Sequence, residues 1–263
     1  MAENEALILR EQRGKILIIT INRPAKGNSV LPEMAVLMDQ YLNEAEKDDS
    51  VAAVILTAAG GKCFCGGMDL KFLNEHPDRL HETWAGDHGW FGITERYFEK
   101  PLIAAVNGAA LGGGTEISLA CDLIVASETA KFGLPEVKRG IFAGAGGPIR
   151  LAKQLPRAYA LEMVMTGDGI TAQRAKEIGM VTQVVPADQV LDAAIALAER
   201  IVCNAPLCVK ATKAIVYKSL EVSQEEAFRF SDDLFWNKIM PSADAKEGPK
   251  AFAEKREPNW QGR

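Results

Sequence analysis

Short apolar runs alternate with helix-like segments through the first half of the chain, and this alternation constrains the fold most strongly. The runs 16–21, 51–57, 102–106 and 122–126 are rich in aliphatic and β-branched residues, which indicates buried strands. After the first run, Pro32 opens a stretch whose apolar residues recur every three or four positions, which predicts a helix. Strands separated by helices usually pair in parallel, with functional loops at the strand ends. The pattern therefore predicts an α/β fold.

The two ends of the chain have their own patterns. Residues 7–9 and 16–21 flank a charged turn around Arg13 and Gly14, which suggests a hairpin. Residues 149–179 and 187–253 show mainly helical periodicity, interrupted by a short strand candidate at 180–185. We interpret the apolar face of 190–201 as intramolecular core rather than as a partner-binding surface. The predicted organisation is a catalytic core over 1–200 and a helical region over 201–263.

Charge and hydropathy exclude several classes of protein. The 263 residues carry a formal charge of −5 and no dense basic run, which argues against an electrostatic nucleic-acid binder. Residues 1–10 contain Glu3 and Glu5 and have neither a basic start nor a long apolar core, so they do not resemble a signal peptide. Because no apolar run reaches membrane-spanning length, we expect a cytoplasmic protein without membrane association.

The cysteines and histidines show no metal-binding pattern. Five cysteines form an odd set without paired ligand spacing, and three histidines lie in a polar stretch without a ligand motif. We therefore expect reduced thiols and no metal site. That polar stretch, 71–99, also holds six aromatic residues, and either a loop-rich lid or acyl-pocket wall, or plain helix packing, would explain them.

Two glycine-rich segments follow predicted strands. They are 60–70, which contains Gly66-Gly67-Met68-Asp69, and 107–116, which contains Gly112-Gly113-Gly114. Glycine lets backbone N–H groups point outward at a ligand, and a helix beginning there adds positive potential. Two such donors meeting at one oxygen would form an oxyanion hole. Either segment taken alone is better explained as a tight turn for close packing of helix and strand.

Two acidic residues stand beside these glycines. Glu116 begins an otherwise apolar helix, and Glu136 precedes the glycine cluster 140–147. A pair of carboxyl groups can share acid and base work over one water molecule when burial brings a pKa towards neutrality. Alternatively, Glu116 interacts with the helix dipole, and Glu136 forms a loop ion pair with Lys138 or Arg139.

Several motifs occur in a fixed order and together resemble one family. They are Asn22-Arg23-Pro24 with Asn28-Ser29, Cys65-Gly66-Gly67-Met68-Asp69-Leu70, the segment 101–122, the segment 132–147 and the ending 247–256. In this order they resemble the crotonase (enoyl-CoA hydratase/isomerase) family over essentially the whole chain. The resemblance implies a spiral of ββα units, a mainly parallel sheet and a helical C-terminal trimerisation region.

The resemblance also implies roles for particular residues. The oxyanion hole would use the main-chain N–H groups of Met68, where the family usually has Ala, and of Gly113. Glu116 would activate the water that attacks Cβ, and Glu136 would handle the proton at Cα. The implied coenzyme A contacts are Arg23, Lys26, Lys62, Cys65, Gly66, Asp69 and Leu70, with Trp236 and Lys255 reaching from a neighbouring subunit. Simple surface solvation is the alternative for Lys255.

The implied activity is reversible syn hydration of a trans-2-enoyl-CoA through an enolate. No metal or redox cofactor is implied, because coenzyme A is part of the substrate, and the implied assembly is a homotrimer or a dimer of trimers. The ending 247–263 also resembles carnitinyl-CoA dehydratase, so dehydration of a functionalised acyl-CoA is an alternative. A third possible function is that of a non-catalytic binding protein of the same fold. The acidic balance and the presence of both carboxyl groups argue against it.

Overall fold

The computed structural model describes residues 6–263 and begins with the expected hairpin. Strand β1 (Ile8–Arg13) pairs antiparallel with β2 (Ile16–Ile21) across the turn at Gly14. The later strands are β3 (Ala53–Ala58), β4 (Cys63–Cys65), β5 (Leu102–Val106), β6 (Ala109–Leu111), β7 (Leu123–Ser127), β8 (Lys131–Gly133), β9 (Ile170–Thr171) and β10 (Gln183–Val185).

Helices follow most of the strands and fill the C-terminal part. They are α1 (Pro32–Lys47), α2 (Leu70–Glu75), α3 (Gly113–Ala120), α4 (Gly147–Gln154), α5 (Arg157–Thr166), α6 (Ala172–Glu177), α7 (Val190–Val202), α8 (Pro206–Ser219), α9 (Gln224–Leu234) and α10 (Ala243–Glu254). Short 3₁₀ helices span Pro24–Lys26, Pro77–Thr83, Pro135–Arg139 and Ala187–Gln189, and a π-helix spans Phe235–Ile239. The predicted helix at Pro32 and the helical C-terminal part are confirmed.

Two sheets organise the fold. The larger has the order β1-β2-β3-β5-β7-β10 and is parallel beyond the hairpin; the smaller has the order β4-β6-β8-β9. Each successive pair, β3 and β4, β5 and β6, then β7 and β8, contributes its first strand to the larger sheet and its second to the smaller. The predicted α/β class is thus confirmed, in the form of a strand-strand-helix spiral.

The larger sheet is buried on both faces. Because successive side chains of a strand point to opposite faces, Ile16 and Ile18 contact α7, whereas Leu17 and Ile19 join the main core with α1. Helix α7 buries Val190, Ala194 and Ala198 against this sheet, so the apolar face of 190–201 is intramolecular core, as predicted. The predicted boundary at residue 200 falls near the end of α7, and the division into two regions stays a prediction.

Four very short strands are not predicted from the sequence. Strands β4 and β6 lie inside the glycine-rich segments, β8 has three residues, and β9 has only two. Such short strands show no alternation of their own, and long-range pairing alone defines them. The candidate at 180–185 is a strand only over Gln183–Val185. Within residues 6–263, no helix has both the length and the apolar character required to cross a membrane.

Candidate active site

The two glycine-rich segments meet at one edge of the smaller sheet. Strand β4 pairs in parallel with β6, with Cys65 opposite Ala110, so both segments leave the sheet in the same direction. Gly67 has φ +87°, and a Cβ added there would lie 3.1 Å from the Gly113 nitrogen and 3.1 Å from the Leu111 carbonyl oxygen. Only glycine allows the two chains to approach this closely.

Two backbone N–H groups remain free where the segments meet. Gly113 is the first residue of α3, so its N–H has no acceptor within the helix. On either side of Met68, the Val30 N–H donates to the Gly67 carbonyl and the Asp69 N–H donates to the Val30 carbonyl. Among residues 6–263, neither the Met68 nor the Gly113 N–H has a protein acceptor. Both residues line the same cavity.

This cavity has a volume of about 420 Å³ and a largely apolar wall. Besides Met68 and the glycines, its apolar lining residues are Leu70, Leu73, Leu80, Trp84, Trp90, Leu111, Pro135, Ile141, Phe142 and Ala145. The charged lining residues are Glu116, Glu136 and Arg139. An apolar cavity with a few convergent polar groups is the usual form of a small-molecule site.

Glu116 lies in the first turn of α3 with 3% of its surface exposed. Its Oε1 accepts a hydrogen bond from the Gly147 N–H at 2.8 Å, so a second helix N-terminus, that of α4, holds the carboxyl group. Burial raises the pKa of Glu116 to about 7, with a further contribution from the charge of Glu136, although the Gly147 and Ala145 amides oppose the change. The helix-dipole alternative explains the position of Glu116 but not its orientation towards α4.

Glu136 faces the same cavity from the 3₁₀ helix Pro135–Arg139. A Cβ added at Gly112 would lie 2.9 Å from Glu136 Oε1, so this carboxyl group abuts the start of α3. Its Oε2 is buried without a hydrogen-bond partner among the described residues, and burial raises its pKa. Lys138 pairs instead with Asp168 at 2.5 Å. The alternative of a Glu136 ion pair with Lys138 or Arg139 is therefore wrong.

The segment 71–99 forms one wall of the cavity. Trp84 and Trp90 pair through an isolated antiparallel bridge, and both line the cavity. Trp90 is 2% exposed, and its six-membered ring lies so close to Gly113 that an added Cβ would be 2.3 Å from it. Of the two interpretations of this segment, the pocket wall is the one that the structure supports. No role follows for either tryptophan from the sequence patterns above. Both nevertheless lie between the glycine-rich segments 60–70 and 107–116, and this position could have indicated a place on the cavity wall.

Buried polar contacts hold this wall on α1. The Asp39 carboxylate accepts from Arg96 Nη2 at 2.8 Å and contacts His88 Nδ1 at 2.6 Å. The Arg96 side chain is 1% exposed and also pairs with Glu46. Such a buried, multiply bonded guanidinium gives the wall a fixed backbone position.

Five of the nine predicted coenzyme A contacts lie on the cavity or in a groove that adjoins it. Arg23 pairs with Asp69 at 2.5 Å, and these two residues share a second groove with Lys26. Asp69 also caps α2 by accepting from the Phe72 N–H. Leu70 connects this groove to the cavity because it follows Asp69 and lines the cavity wall.

Gly66 and the four remaining predicted contacts occupy different environments. Cys65 is fully buried, and burial raises the pKa of its thiol to about 12. Gly66 lines the cavity, but its N–H already donates to the Gly27 carbonyl at 2.9 Å, and Lys62 is exposed before β4. Trp236, which is 62% exposed in the π-helix, and Lys255, which ends α10, line neither the cavity nor the Arg23 groove within one chain.

The site contains no arrangement suited to a metal ion. Across residues 6–263, no three or more His, Cys, Asp and Glu side chains cluster as potential ligands. Fold and site together define a spiral α/β protein with two free amide donors, one buried carboxyl group and one half-buried carboxyl group on one cavity.

Comparison with known proteins agrees with this class. The model of the enoyl-CoA hydratase/isomerase family matches residues 11–263. An enoyl-CoA hydratase of Mycobacterium tuberculosis is 42% identical over 258 residues, covering 97% of this chain and 96% of its own. A carnitinyl-CoA dehydratase of Proteus mirabilis is 41% identical over 255 residues, covering 95% of this chain and 97% of its own.

A solved structure agrees as well. The crystal structure of an enoyl-CoA hydratase from Mycobacterium tuberculosis H37Rv superposes with a TM-score of 0.92 at 45% identity, covering 98% of this chain and 100% of that one. The chain therefore belongs to the enoyl-CoA hydratase/isomerase (crotonase) family, and the resemblance that its sequence motifs indicated is confirmed.

Proposed function

We propose that this chain is an enoyl-CoA hydratase, a hydro-lyase that reversibly adds water to a trans-2-enoyl-CoA. The observation that carries this proposal is the meeting of two free backbone donors, at Met68 and Gly113, with the carboxyl groups of buried Glu116 and half-buried Glu136 on one cavity. The product is a 3-hydroxyacyl-CoA.

In this reaction the thioester oxygen lies between the Met68 and Gly113 N–H groups. Attack of water at Cβ moves negative charge onto this oxygen, and donors that are already oriented stabilise the enolate without reorganisation. The free N–H of Gly113 lies at the N-terminus of α3, whose dipole adds to the stabilisation. Because the donors are main-chain groups, Met68 can replace a smaller residue without loss of the hydrogen bond.

The two carboxyl groups divide the proton transfers. Ionised Glu116 takes a proton from the attacking water, and protonated Glu136 delivers one to Cα. Exchange with solvent then removes the proton from Glu116 and returns one to Glu136, so both carboxyl groups regain their starting states before the next turnover. Burial raises the pKa of both groups, which supports the coexistence of a base and an acid near neutral pH. The α4 amide of Gly147 orients Glu116.

The coenzyme A portion lies along Arg23, Lys26, Lys62, Cys65, Gly66, Asp69 and Leu70. The groove beside the cavity supports this path, because its three cations, Arg23, Lys26 and Lys71, outnumber its two carboxylates, Asp69 and Glu75. Trp236 and Lys255 complete the site from a neighbouring subunit of a homotrimer, or of a dimer of trimers. The reaction uses no cofactor beyond the coenzyme A of its substrate, and the protein works in the cytoplasm.

The second candidate is carnitinyl-CoA dehydratase, favoured by the relative of that name at 41% identity. Trp84, Trp90 and Phe142 offer aromatic faces that could bind a trimethylammonium group. Arg139 also lines the cavity, however, and would repel such a cation. Hydration of an uncharged enoyl chain is the better match.

The test is an assay of the purified protein with crotonyl-CoA and, separately, with carnitinyl-CoA. Hydratase activity appears as loss of the enoyl absorbance of crotonyl-CoA. Turnover of carnitinyl-CoA alone would favour the second candidate. Tight binding of both esters without turnover of either would favour a non-catalytic binding protein.

A further inference from the structure

The acyl cavity ends at a wall that it shares with a second opening. Leu80 and Trp84 line the cavity that contains Glu116 and Glu136. The same two residues line an outer groove with Pro77, Asp78 and His81. Among residues 6–263 no other residue lines both spaces, so these two side chains are the partition between them.

Trp84 is the member of this partition that closes most of the opening. Its indole is larger than the Leu80 side chain, and it is 38% exposed, whereas the neighbouring Trp90 is 2% exposed and fixed against Gly113. The Trp84 side chain is therefore bounded by cavity on one side and by open groove on the other. Removing it would leave little in place to separate them.

The backbone that carries the partition is firmly held. The Trp84 N–H donates to the His81 carbonyl at 3.0 Å, and the Phe91 N–H donates to the Thr83 carbonyl at 2.8 Å. Arg79 pairs with both Glu33 of α1 and Glu82, at 3.0 and 2.7 Å. Truncation of a side chain on this backbone should open the wall without displacing it.

We propose that Trp84 closes the far end of the acyl cavity and sets the upper limit of acyl-chain length. The inference rests on the proposed hydratase function and goes beyond it, because it names short and medium apolar enoyl chains as the substrate class. A longer chain would have to pass between Leu80 and Trp84 into the outer groove. Because the Trp84 indole blocks this passage, the last methylenes of a longer chain cannot be buried.

The experiment compares Trp84→Ala with the unmodified protein over trans-2-enoyl-CoA esters from crotonyl to hexadecenoyl. The unmodified protein is expected to lose kcat/KM as the chain outgrows the cavity. Trp84→Ala is expected to raise the hexadecenoyl-to-crotonyl ratio of kcat/KM by about tenfold or more, within the range that apolar pockets discriminate by size. Leu80→Ala should raise the same ratio by a smaller factor. It is the test variant if Trp84→Ala does not fold.

Tyr97→Ala is the matched control, because Tyr97 is an exposed aromatic residue of the same segment that lines neither space. The hexadecenoyl-to-crotonyl ratio of kcat/KM in Tyr97→Ala should equal that of the unmodified protein. An unchanged ratio in both folded Trp84→Ala and Leu80→Ala would overturn the proposal. So would an unmodified protein that hydrates hexadecenoyl-CoA as well as crotonyl-CoA.

A binding measurement separates this proposal from the proposed function. Calorimetric titration with butyryl-CoA and hexadecanoyl-CoA needs no turnover. Selective tightening of hexadecanoyl-CoA binding in Trp84→Ala would support the partition even if the protein hydrated neither crotonyl-CoA nor hexadecenoyl-CoA, and the proposed function alone would then fail. Hydration of crotonyl-CoA with no such selectivity would reject the partition and leave the function intact.

Discussion

At the scale of single residues, the two glutamates of the cavity differ in the hydrogen bonds that their carboxyl oxygens accept. Glu116 keeps one strong acceptor contact, to the Gly147 N–H, whereas Glu136 has a buried oxygen without any partner among the described residues. A buried, unpartnered carboxyl oxygen is costly for folding. The cost is understandable if this oxygen exchanges a proton with substrate.

Replacement of Glu136 by Gln should reduce kcat for crotonyl-CoA hydration by roughly 10²- to 10⁴-fold. The amide keeps the size of the side chain but cannot donate and recover a proton. The dissociation constant of a saturated acyl-CoA should stay within about threefold of the unmodified value, because the thioester contacts remain. Steady-state kinetics and calorimetry measure both quantities.

Asp168→Asn provides the control for this substitution. Asp168 pairs with Lys138, and Lys138 is close to Glu136 in the chain. The Asp168 side chain is 75% exposed and lines no part of the cavity. Its kcat should be unchanged. A Glu136→Gln enzyme within threefold of normal kcat would remove Glu136 from the proposed chemistry.

The raised pKa of Glu116 has a consequence for stability. Its ordinary pKa of 4.5 rises to about 7 in the folded protein, so folding takes up a proton between these values. The resulting penalty is absent below about pH 4.5, grows as the pH rises and is complete above about pH 7, at about 3 kcal/mol. Glu116→Gln keeps the acceptor for Gly147 and has no such penalty.

Urea unfolding at several pH values measures this difference. Between pH 4.5 and pH 8, the free energy of unfolding of Glu116→Gln should rise by about 3 kcal/mol relative to that of the unmodified protein. The other titrating groups are common to both proteins and cancel, except for the part of the Glu136 titration that depends on the charge of Glu116. A difference in unfolding free energy that did not change with pH would contradict a buried Glu116 carboxyl group.

At the scale of elements, the site depends on where α3 begins. Gly112 supplies the turn with φ +55°, and Gly113 then starts the helix against Trp90. Any side chain at position 113 would collide with the indole, so a single substitution there would mix packing with hydrogen bonding. A pair of substitutions separates the two effects.

Gly113→Ala and Gly113→Pro both introduce a Cβ, but only proline removes the N–H. Proline is otherwise suited to the first position of a helix. We expect both variants to be less stable, and kcat of Gly113→Pro to fall below that of Gly113→Ala by about 10²- to 10³-fold, the usual cost of one oxyanion donor. Kinetics on samples shown to be folded by circular dichroism provide the comparison. Equal kcat values would exclude the Gly113 N–H as a donor.

At the scale of the whole molecule, the C-terminal region leaves large apolar side chains uncovered. Phe252 is 87% exposed, and Phe228 and Trp236 are each 62% exposed. Exposed apolar side chains of this size are typical of a surface that another subunit covers. The proposed coenzyme A contacts Trp236 and Lys255 lie on the same region and away from their own chain's cavity. Both observations are consistent with the proposed trimer.

Sedimentation velocity should give a mass three times the 28.5 kDa of one chain, or a multiple of that trimer. Phe252→Ser should weaken the assembly, because it removes an exposed aromatic side chain that another subunit would cover. If a neighbour completes the site, KM for crotonyl-CoA should rise as the variant is diluted and dissociates. Val36→Ser, at an exposed position on α1, is the control. A fully active monomer would contradict the shared site.

Much of the architecture was determined by sequence alone, because local physics encodes it. Aliphatic runs, the periodicity after Pro32 and the charged turn at Gly14 each specify an element through contacts that recur within a few residues. The motifs that indicated the crotonase family, with Glu116 and Glu136 among them, also lie in contiguous stretches.

Only the tertiary structure decided how these stretches combine. Strands β4 and β6 are too short to have a pattern, yet their pairing brings Met68 beside Gly113. The placement of Trp90 over Gly113, and of Trp84 between two openings, depends on a wall held by Asp39 and Arg96. Such contacts join residues far apart in the chain, and their strength comes from burial that exists only once the whole core has formed.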